Sequence, residues 1–339
     1  MKYIEMGGRV MKKIINEPSA VVDEMIKGMV FAYDGLIERL PETNVIHRKQ
    51  SQNGKVGLVS GGGSGHEPSH AGFVGKGMLS AAVCGEVFTS PTPDQILEAV
   101  KASDEGNGVF MIVKNYSGDI MNFEMAKDLA DMEDIPVDFV VVDDDIAVED
   151  STYTAGKRGI AGTVLVHKIL GAAAEEGASL TEIKSLADKL VPAIKSIGVA
   201  LTPATNPEVG KPGFDIADDE IEFGVGIHGE PGYRREKLQP SKDLAAELVK
   251  QLKKEFQWSA DEEYALLING MGATPLMEQF VFTNDVHQLL EQDGLKLLFK
   301  KVGDYMTSID MAGLSVTLVK LEDTKWLDYL NAPVTTIAW

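Results

Sequence analysis

Two histidines lie in glycine-rich stretches where a titratable side chain could act on a small ligand. His228 lies within residues 224–232, which contain four glycines and a proline, and His66 follows residues 61–65, which contain four glycines. Glycine can adopt positive φ and lets the backbone approach a ligand closely. The run of backbone N–H groups before His66 could therefore hold an oxygen-rich ligand. The alternative for either stretch is a tight turn, with His228 pointing into water.

Lys114 and Asp119 are two further candidates, and both follow an apolar run at residues 109–113. A lysine that ends a buried strand usually meets a carboxylate or a ligand oxygen, because an unpaired buried ammonium is costly. Asp119 precedes a helical pattern, so its carboxylate could serve a site or could cap the N-terminus of that helix. The sequence leaves both interpretations of Asp119 open.

A run of three aspartates at positions 143–145 resembles a set of ligands for a hard cation. Neighbouring residues of an extended chain point to opposite faces, so the three carboxylates cannot converge without a bend. We therefore interpret this run as an acidic loop. The remaining histidines lack comparable surroundings, and we interpret them as structural: His47, His70, His167 and His287.

The glycine loop at residues 61–66 matches none of the familiar nucleotide-binding signatures. A dinucleotide-binding pattern would need glycine where His66 stands, and the nucleophile-elbow pattern fails at the same residue. No Gly-Lys pair is followed by serine or threonine, which excludes a Walker A loop. We expect no nucleotide site on this chain.

The first half of the sequence alternates apolar runs with helical patterns. Strands that are apolar on both faces and alternate with helices indicate a largely parallel sheet that is covered on two sides. Ligands of such sheets lie beyond the carboxyl ends of the strands, where the glycine loop and Asp119 follow. The strands are predicted at 56–59, 109–113 and 137–142, and helical patterns occur from Ser19, at 120–129 and at 163–176.

The second half repeats this alternation after a predicted domain boundary near residue 195. A capping-box pattern at Ser179 and Glu182 begins a helix that is predicted to reach Ile194. The predicted fold is α/β, with mostly parallel or mixed sheets in an N-terminal substrate-binding domain at 1–195 and a second domain at 196–339. Strands of the second domain are predicted at 197–201, 221–227, 264–268, 295–299 and 314–319.

The composition excludes several classes of function. The formal net charge is -20 and the pI is about 4.7, so the chain would repel nucleic-acid phosphates and anionic membrane surfaces. Cys84 is the only cysteine, which rules out an intrachain disulfide and gives no sign of an oxidising compartment. No apolar run approaches the ~18 residues of a membrane span, and residues 1–9 lack the apolar segment of a secretory signal. We expect a cytoplasmic protein that binds neither nucleic acid nor membrane.

Residues 1–10 precede a second plausible start. The sequence from Met11 through Lys12 and Lys13 resembles the natural beginning of a chain. We predict that residues 1–10 are an extension, either a tag or the product of an upstream start. A native protein whose mass begins at Met1 would contradict this prediction.

Four motifs, laid out in order, together resemble the dihydroxyacetone-binding subunits of bacterial dihydroxyacetone kinases. They are Gly-Gly-Gly-Ser-Gly-His-Glu-Pro at 61–68, Phe-Thr-Ser-Pro-Thr-Pro-Asp at 88–94, Lys-Asn-Tyr-Ser-Gly-Asp at 114–119 and the stretch at 224–232. The resemblance covers about residues 11–339, and no residue of the four motifs departs from the family pattern. It implies two α/β domains with a substrate cleft between them, in a homodimer.

The resemblance also implies that phosphate arrives from a separate, DhaL-like subunit, which explains the missing Walker loop. In the phosphotransferase-system branch of the family that subunit holds ADP as a phosphate carrier, whereas ATP-dependent kinases fuse both parts into one longer chain. With 339 residues, this chain resembles the former. We expect ADP or ATP, with magnesium, on the partner subunit, and no cofactor or metal on this chain.

Carried over by position, His228 is the histidine whose imidazole adds to the C2 carbonyl of dihydroxyacetone to form a hemiaminal. Such a bond discriminates against glycerol, which has similar hydroxyls but no carbonyl. Asp119 accepts the proton of the attacking terminal hydroxyl, and His66 assists at the same oxygen. The resemblance implies three further substrate-binding residues: Gly63, Lys114 and Ser90.

Two other functions are compatible with these motifs. A dihydroxyacetone sensor would bind the same ligand and act as the coactivator of a transcription regulator without doing chemistry, as paralogues of the family do. The presence of His66 and Asp119 beside His228 favours the enzyme. A generic sugar-binding protein is a third hypothesis, and it predicts no covalent adduct.

Overall fold

The computed structural model describes residues 5–6, 9–10, 12–149, 151 and 154–339, with side chains from residue 12 onward. Near the start, two short strands, β1 (Glu5–Met6) and β2 (Arg9–Val10), pair antiparallel. The predicted N-terminal extension, residues 1–10, otherwise lies outside the described residues.

The first half of the chain builds a six-stranded mixed sheet. Four of its strands run parallel, and two short strands pair antiparallel at one edge. The predicted α/β architecture is confirmed, with parallel strands where continuous apolar runs predicted them. In spatial order the strands are β3 (Ile37–Arg39), β4 (Val45–Arg48), β6 (Ala81–Val87), β5 (Gly57–Ser64), β7 (Val109–Lys114) and β8 (Val137–Val142).

Helices cover both faces of this sheet. They are α1 (Val21–Ala32), α2 (Pro93–Ser103), α3 (Ser117–Asp131), α4 (Gly162–Glu175) and α5 (Leu180–Leu190). Every residue of β7 is buried, and its successive side chains point to opposite faces. Phe110 belongs to the same core cluster as Leu165 of α4, whereas its neighbour Met111 belongs to the cluster that contains Phe123 of α3.

The second half builds another six-stranded sheet, in which β12 and β13 pair in parallel and the other neighbours pair antiparallel. In spatial order its strands are β11 (Arg234–Lys237), β10 (Glu220–Phe223), β9 (Ile194–Ala200), β14 (Gly313–Lys320), β12 (Glu263–Gly270) and β13 (Lys296–Gly303). Its helices are α6 (Ser241–Phe256), α7 (Leu276–Gln292) and α8 (Thr324–Asn331). None of the helices in the described part of the chain is long and apolar enough to cross a membrane.

The domain boundary predicted near residue 195 falls on the second residue of β9. Apolar side chains from both halves pack in one cluster, which contains Phe110 of the first sheet and Leu267 of the second. The division into two domains at this residue therefore stays a prediction.

The helix that was predicted to reach Ile194 ends earlier. α5 has the predicted capping box between Ser179 and Glu182, but its last residue is Leu190. Pro192 follows, and its missing N–H and fixed ring do not support a continuing α-helix. Residues 191–193 form a single 3-10 turn, and Ile194 is the first residue of β9.

The strand predicted at 221–227 is also shorter than predicted. β10 ends at Phe223 because Gly224 has a φ of +76°, outside the extended region. The chain beyond it forms a loop, closed by hydrogen bonds of 2.9 Å from Gly226 N–H to Glu230 O and of 3.0 Å from Gly229 N–H to Gly226 O. His228 therefore lies in a compact loop rather than at the end of a strand.

The aspartate run at 143–145 is only partly a solvated loop. Asp143 is exposed, but Asp144 and Asp145 are buried. Asp144 accepts hydrogen bonds of 2.8 Å from two backbone N–H groups at the beginning of α4, and Asp145 pairs with Arg158 at 2.7 Å. The acidic-loop interpretation is wrong for these two residues, because backbone donors and a guanidinium compensate their burial.

Candidate active site

A cavity of about 620 Å³ lies beyond the carboxyl ends of β5, β6 and β7. A parallel sheet predicts a ligand at this position. Four of the six predicted site residues line the cavity: Gly63, Ser90, Asp119 and His228. The other two, His66 and Lys114, are each 1% exposed and lie directly behind that wall. The fold thus brings together residues from both halves of the chain.

His228 is held by Glu230, two residues further along the same loop. His228 Nδ1 donates to Glu230 Oε1 at 3.1 Å, and the backbone N–H of His228 donates to Glu230 Oε2 at 2.9 Å. The rings of Tyr116 and Phe88 stand edge-on to the imidazole, with centroids 4.6 and 5.2 Å from its centre. These contacts fix the plane of the ring and leave Nε2 as the nitrogen that does not bind Glu230.

The glycines around His228 serve the packing of the loop itself. A Cβ atom at Gly226 would overlap the carboxylate of Glu230, and one at Gly232 would overlap the carbonyl oxygen of Phe223. The sequence predicted that these glycines let the backbone approach a ligand. At Gly226 and Gly232, protein atoms occupy the space that a side chain would take.

His66 and His228 meet at their Nε2 atoms, 3.0 Å apart, although 162 residues separate them in the sequence. His66 Nδ1 lies 2.7 Å from the carbonyl oxygen of Thr307 and must donate to it, so His66 Nε2 carries the lone pair. Because His228 Nδ1 donates to Glu230, a hydrogen bond between the two Nε2 atoms needs a further proton on His228. In such a hydrogen bond, His228 Nε2 donates and His66 Nε2 accepts.

The buried charges around this pair agree with that arrangement. Burial, together with the positive charges of His228 and Lys114, lowers the pKa of His66 well below its ordinary value, so His66 is neutral. Burial alone would raise the pKa of Glu230, but the hydrogen bond from His228 and the charges of His228 and Arg158 lower it to about 2. Glu230 is therefore a carboxylate, and it accepts both hydrogen bonds from His228.

A second chain of hydrogen bonds is sealed behind Asp119. Lys114 Nζ lies 3.6 Å from Asp119 Oδ2 and 3.1 Å from His70 Nε2. His70 Nδ1 lies 2.9 Å from His167 Nε2. Burial and the nearby charge of Lys114 lower the pKa of both histidines, that of His167 to about 3. Both imidazoles are neutral, so Lys114 donates to His70, and His70 donates to His167.

The structure decides between the two interpretations of Asp119. Tyr116 occupies the N-cap position of α3, and Asp119 lies in the first turn of that helix. The N-cap interpretation is therefore wrong. The carboxylate of Asp119 lines the cavity on one side and faces Lys114 on the other.

Sequence reasoning missed five residues that shape this site: Phe88, Tyr116, His70, Arg158 and Glu230. A local signal existed for Glu230, which is a carboxylate within the same glycine-rich stretch as His228. His70 was interpreted as purely structural, yet it binds Lys114, 44 residues away. Arg158 supports the His228 loop by donating to Gly224 O, 66 residues away, at 2.6 Å. Contacts over such separations leave no periodic or spacing pattern in the sequence.

A model of the Dak1 domain family matches residues 27–338. The chain belongs to the Dak1 domain family. It is 65% identical over 328 residues to the PTS-dependent dihydroxyacetone kinase, dihydroxyacetone-binding subunit DhaK, of Lactococcus lactis subsp. lactis, and this match covers 97% of this chain and 99% of that one. It is also 47% identical over 329 residues to the DhaKLM operon coactivator DhaQ of the same organism, with 96% of this chain and 100% of that one covered.

A solved structure shows the same fold for the Dak1 domain. The dihydroxyacetone kinase of C. freundii, in complex with AMP-PNP and Mg2+, is similar with a TM-score of 0.87 and 33% sequence identity, over 97% of this chain and 60% of that chain. The resemblance that the four motifs carry is confirmed. This Dak1 chain is a member of the dihydroxyacetone kinase family, a class of phosphotransferases.

Proposed function

We propose that this chain is the dihydroxyacetone-binding subunit of a phosphotransferase-system-dependent dihydroxyacetone kinase. The observation that carries the proposal is the 3.0 Å contact between His66 and His228 at a cavity that Asp119 also lines. The similarity to the L. lactis subunit, over nearly the full length of both chains, supports the same assignment. The chain would act in the cytoplasm as a homodimer and would yield dihydroxyacetone phosphate when a nucleotide-bearing subunit docks.

Adduct formation begins with the proton between the two histidines. His228 Nε2 passes its proton to His66 Nε2 across 3.0 Å, and the freed lone pair attacks C2 of the ketone. The new N–C bond forms as the carbonyl π bond opens, and the resulting alkoxide takes the proton back from His66. The product is a hemiaminal with an imidazolium charge that Glu230 still balances, and neither water nor a proton leaves the site.

The covalent anchor leaves a terminal hydroxyl of the substrate free to react beside Asp119. Asp119 accepts the proton of that hydroxyl as its oxygen attacks the phosphorus of the donor, and His66 assists as a second hydrogen-bonding group. Gly63 and Ser90 orient the substrate from the cavity wall. Lys114, which was expected to bind a substrate oxygen, is buried behind that wall and orients Asp119 in this proposal. Catalysis by this chain consists mainly of positioning and proton transfer.

The nucleotide and its magnesium belong, in this proposal, to a separate DhaL-like subunit. The C. freundii kinase was solved with AMP-PNP and Mg2+, and this chain corresponds to only 60% of its length. The L. lactis relative, named as the dihydroxyacetone-binding subunit of a PTS-dependent kinase, is matched over 99% of its length, which supports a two-subunit arrangement in which this chain holds no cofactor.

The similarity to DhaQ favours a second candidate function, a non-catalytic dihydroxyacetone sensor that acts on a transcription regulator. A sensor needs the covalent anchor but has no use for a base beside the terminal hydroxyl. Here Asp119 lines the cavity and is supported by Lys114, which favours the kinase subunit.

The proposal predicts a covalent adduct that glycerol cannot form. Native mass spectrometry with dihydroxyacetone should show an increase by the full mass of the ketone, without loss of water, and His228→Ala should abolish it. Asp119→Asn should keep the adduct and lose roughly 10²- to 10⁴-fold of product formation with the nucleotide-bearing subunit present, because the base is gone. The matched control, His287→Ala at an exposed histidine of α7, should change neither reading.

Each alternative has a distinct outcome in this experiment. A wild-type chain that forms the adduct but no phosphorylated product with its partner would be a sensor. A chain that forms no adduct would contradict both the kinase and the sensor and favour a generic sugar-binding protein. Normal product formation by Asp119→Asn would show that the base is assigned to the wrong residue.

A further inference from the structure

We infer that the exposed face of α3 beside the cavity, formed by Met121 and Met125 and called here the rim face, docks the nucleotide-bearing subunit. The two side chains are 59% and 49% exposed. The inference rests on the proposed function and adds to it the surface through which the phosphate donor arrives.

The rim face lies at the opening of the cavity. Ser117 and Thr89 both line the cavity and are exposed, so the cavity opens to solvent beside them. Met121 follows Ser117 by four residues, and Met125 follows Asn122, another lining residue, by three. Residues three and four apart are neighbours on the surface of a helix. The two methionines therefore border the α3 side of the opening.

The reaction itself requires a partner to cover this opening. Phosphoryl transfer needs the donor in line with the hydroxyl that Asp119 activates, so the donor subunit must approach the rim and bury what surrounds it. Methionine is enriched in the cores of protein interfaces, where its flexible and polarizable side chain adapts to a partner. Glu124 and Asp128 are exposed beside the two methionines. The partner surface that fits is apolar at its centre and basic at its edge.

A second copy of this chain fits the rim face poorly. In a two-fold interface the same patch meets itself, so Glu124 and Asp128 of one copy would approach the same carboxylates of the other. A more extensive apolar surface for such a copy lies on α7, next to the edge strand β13. Its exposed side chains are Leu276, Met277, Phe280 and Val281.

Met121→Glu and Met125→Glu test the inference, with Met132→Glu as the matched control. Met132 is 81% exposed, directly follows the last residue of α3, and lies about 10 Å beyond Met125 along the helix axis, away from the opening. All three variants should form the dihydroxyacetone adduct at the wild-type level by native mass spectrometry. The two rim variants should need about tenfold or more nucleotide-bearing subunit for half-maximal product formation, because each buries an unpaired charge on docking. The control should match the wild type.

The failure of this inference is distinguishable from that of the proposed function. If both rim variants need no more partner than the wild type, the docking surface is overturned while the proposed function stands. If the wild-type chain forms no adduct, the proposed function is overturned. If the rim variants change the oligomeric state of the chain alone, by sedimentation, the face belongs to a second copy and the inference is overturned.

Discussion

His66 and His228 contact each other at the cavity through nitrogens 3.0 Å apart, and His70 and His167 contact each other beneath Lys114 through nitrogens 2.9 Å apart. The spacing is nearly the same, but the charge beside each pair is opposite. The carboxylate of Glu230 binds His228, whereas the ammonium of Lys114 binds His70.

The adjacent charge decides what each pair can do. The carboxylate of Glu230 accepts from His228 Nδ1 and leaves Nε2 facing His66, and in the proposed mechanism a proton passes between these two Nε2 atoms. The ammonium of Lys114, together with burial, lowers the pKa of His70 and His167, so the sealed pair stays neutral and accepts a hydrogen bond from Lys114. In this proposal, two identical residue types give a reactive pair and a supporting pair.

Among the changes that test this contrast, the largest effect is expected from removing the charge beside His228. Glu230→Gln cannot balance an imidazolium, and its amide N–H₂ can donate to His228 Nδ1, which leaves the proton of neutral His228 on Nε2. The rate of adduct formation on His228, followed by mass spectrometry, should fall by up to roughly 10⁴-fold, because the imidazole then holds the wrong tautomer. Product formation should fall with it.

Glu222→Gln is the matched control for this change. Glu222 is a buried carboxylate that anchors the other end of the same loop, where it accepts a hydrogen bond of 2.8 Å from Gly232 N–H. Its variant should form the adduct at close to the wild-type rate. If both variants lose the same fraction of the rate of adduct formation, Glu230 only maintains the loop. The adjacent charge would then not explain the difference between the two histidine pairs.

A smaller effect is expected from breaking the sealed pair. His70→Leu removes the acceptor of Lys114 and leaves a buried ammonium with fewer hydrogen bonds, so the free energy of unfolding should fall by about 1–3 kcal/mol in urea titrations. Product formation should fall, because Lys114 no longer holds Asp119, while the adduct on His228 still forms. His70→Gln, whose amide oxygen can accept from Lys114, should recover part of both losses. Loss of the adduct in His70→Leu would show that the two pairs are not independent.

The smallest effect is a pH dependence of stability that belongs to the sealed pair. Burial lowers the pKa of His167 to about 3 in the folded chain, whereas an unfolded histidine has a pKa of about 6.5. Between these values the unfolded state binds the additional proton, so stability falls as the pH falls. As the pH falls below about 6.5, the free energy of unfolding of the wild type should fall faster than that of His167→Gln. The difference should be about 1.4 kcal/mol per pH unit. The control His287→Gln, at an exposed histidine, should have the wild-type slope of unfolding free energy against pH. If His167→Gln also has the wild-type slope, the assignment of His70 and His167 as a sealed, neutral pair is wrong.

Much of the framework was predictable from the sequence. Continuous apolar runs predicted β7 and β8 because both faces of a parallel sheet are covered, and Asp119 was placed correctly beyond the carboxyl end of β7. The glycines at 61–63, predicted to form a loop after a strand at 56–59, instead belong to β5, which extends to Ser64 and pairs there with β6. The predictions failed where one backbone angle or one proline decides the outcome, as at Gly224, which ends β10, and at Pro192, which ends the helical region before β9.

The sequence by itself determined the fold class, the family and the residue types at the cavity, since these depend on local periodicity and on short motifs. Only the tertiary structure decided which histidine meets which, and beside which charge. His66 meets His228 across 162 residues and Thr307 across 241, and His70 meets His167 across 97. The first pairing is set by how the two halves of the chain pack, and the second by how α4 packs on the first sheet. These contacts bring His66 to the imidazole that Glu230 holds, and His167 to the imidazole that Lys114 holds.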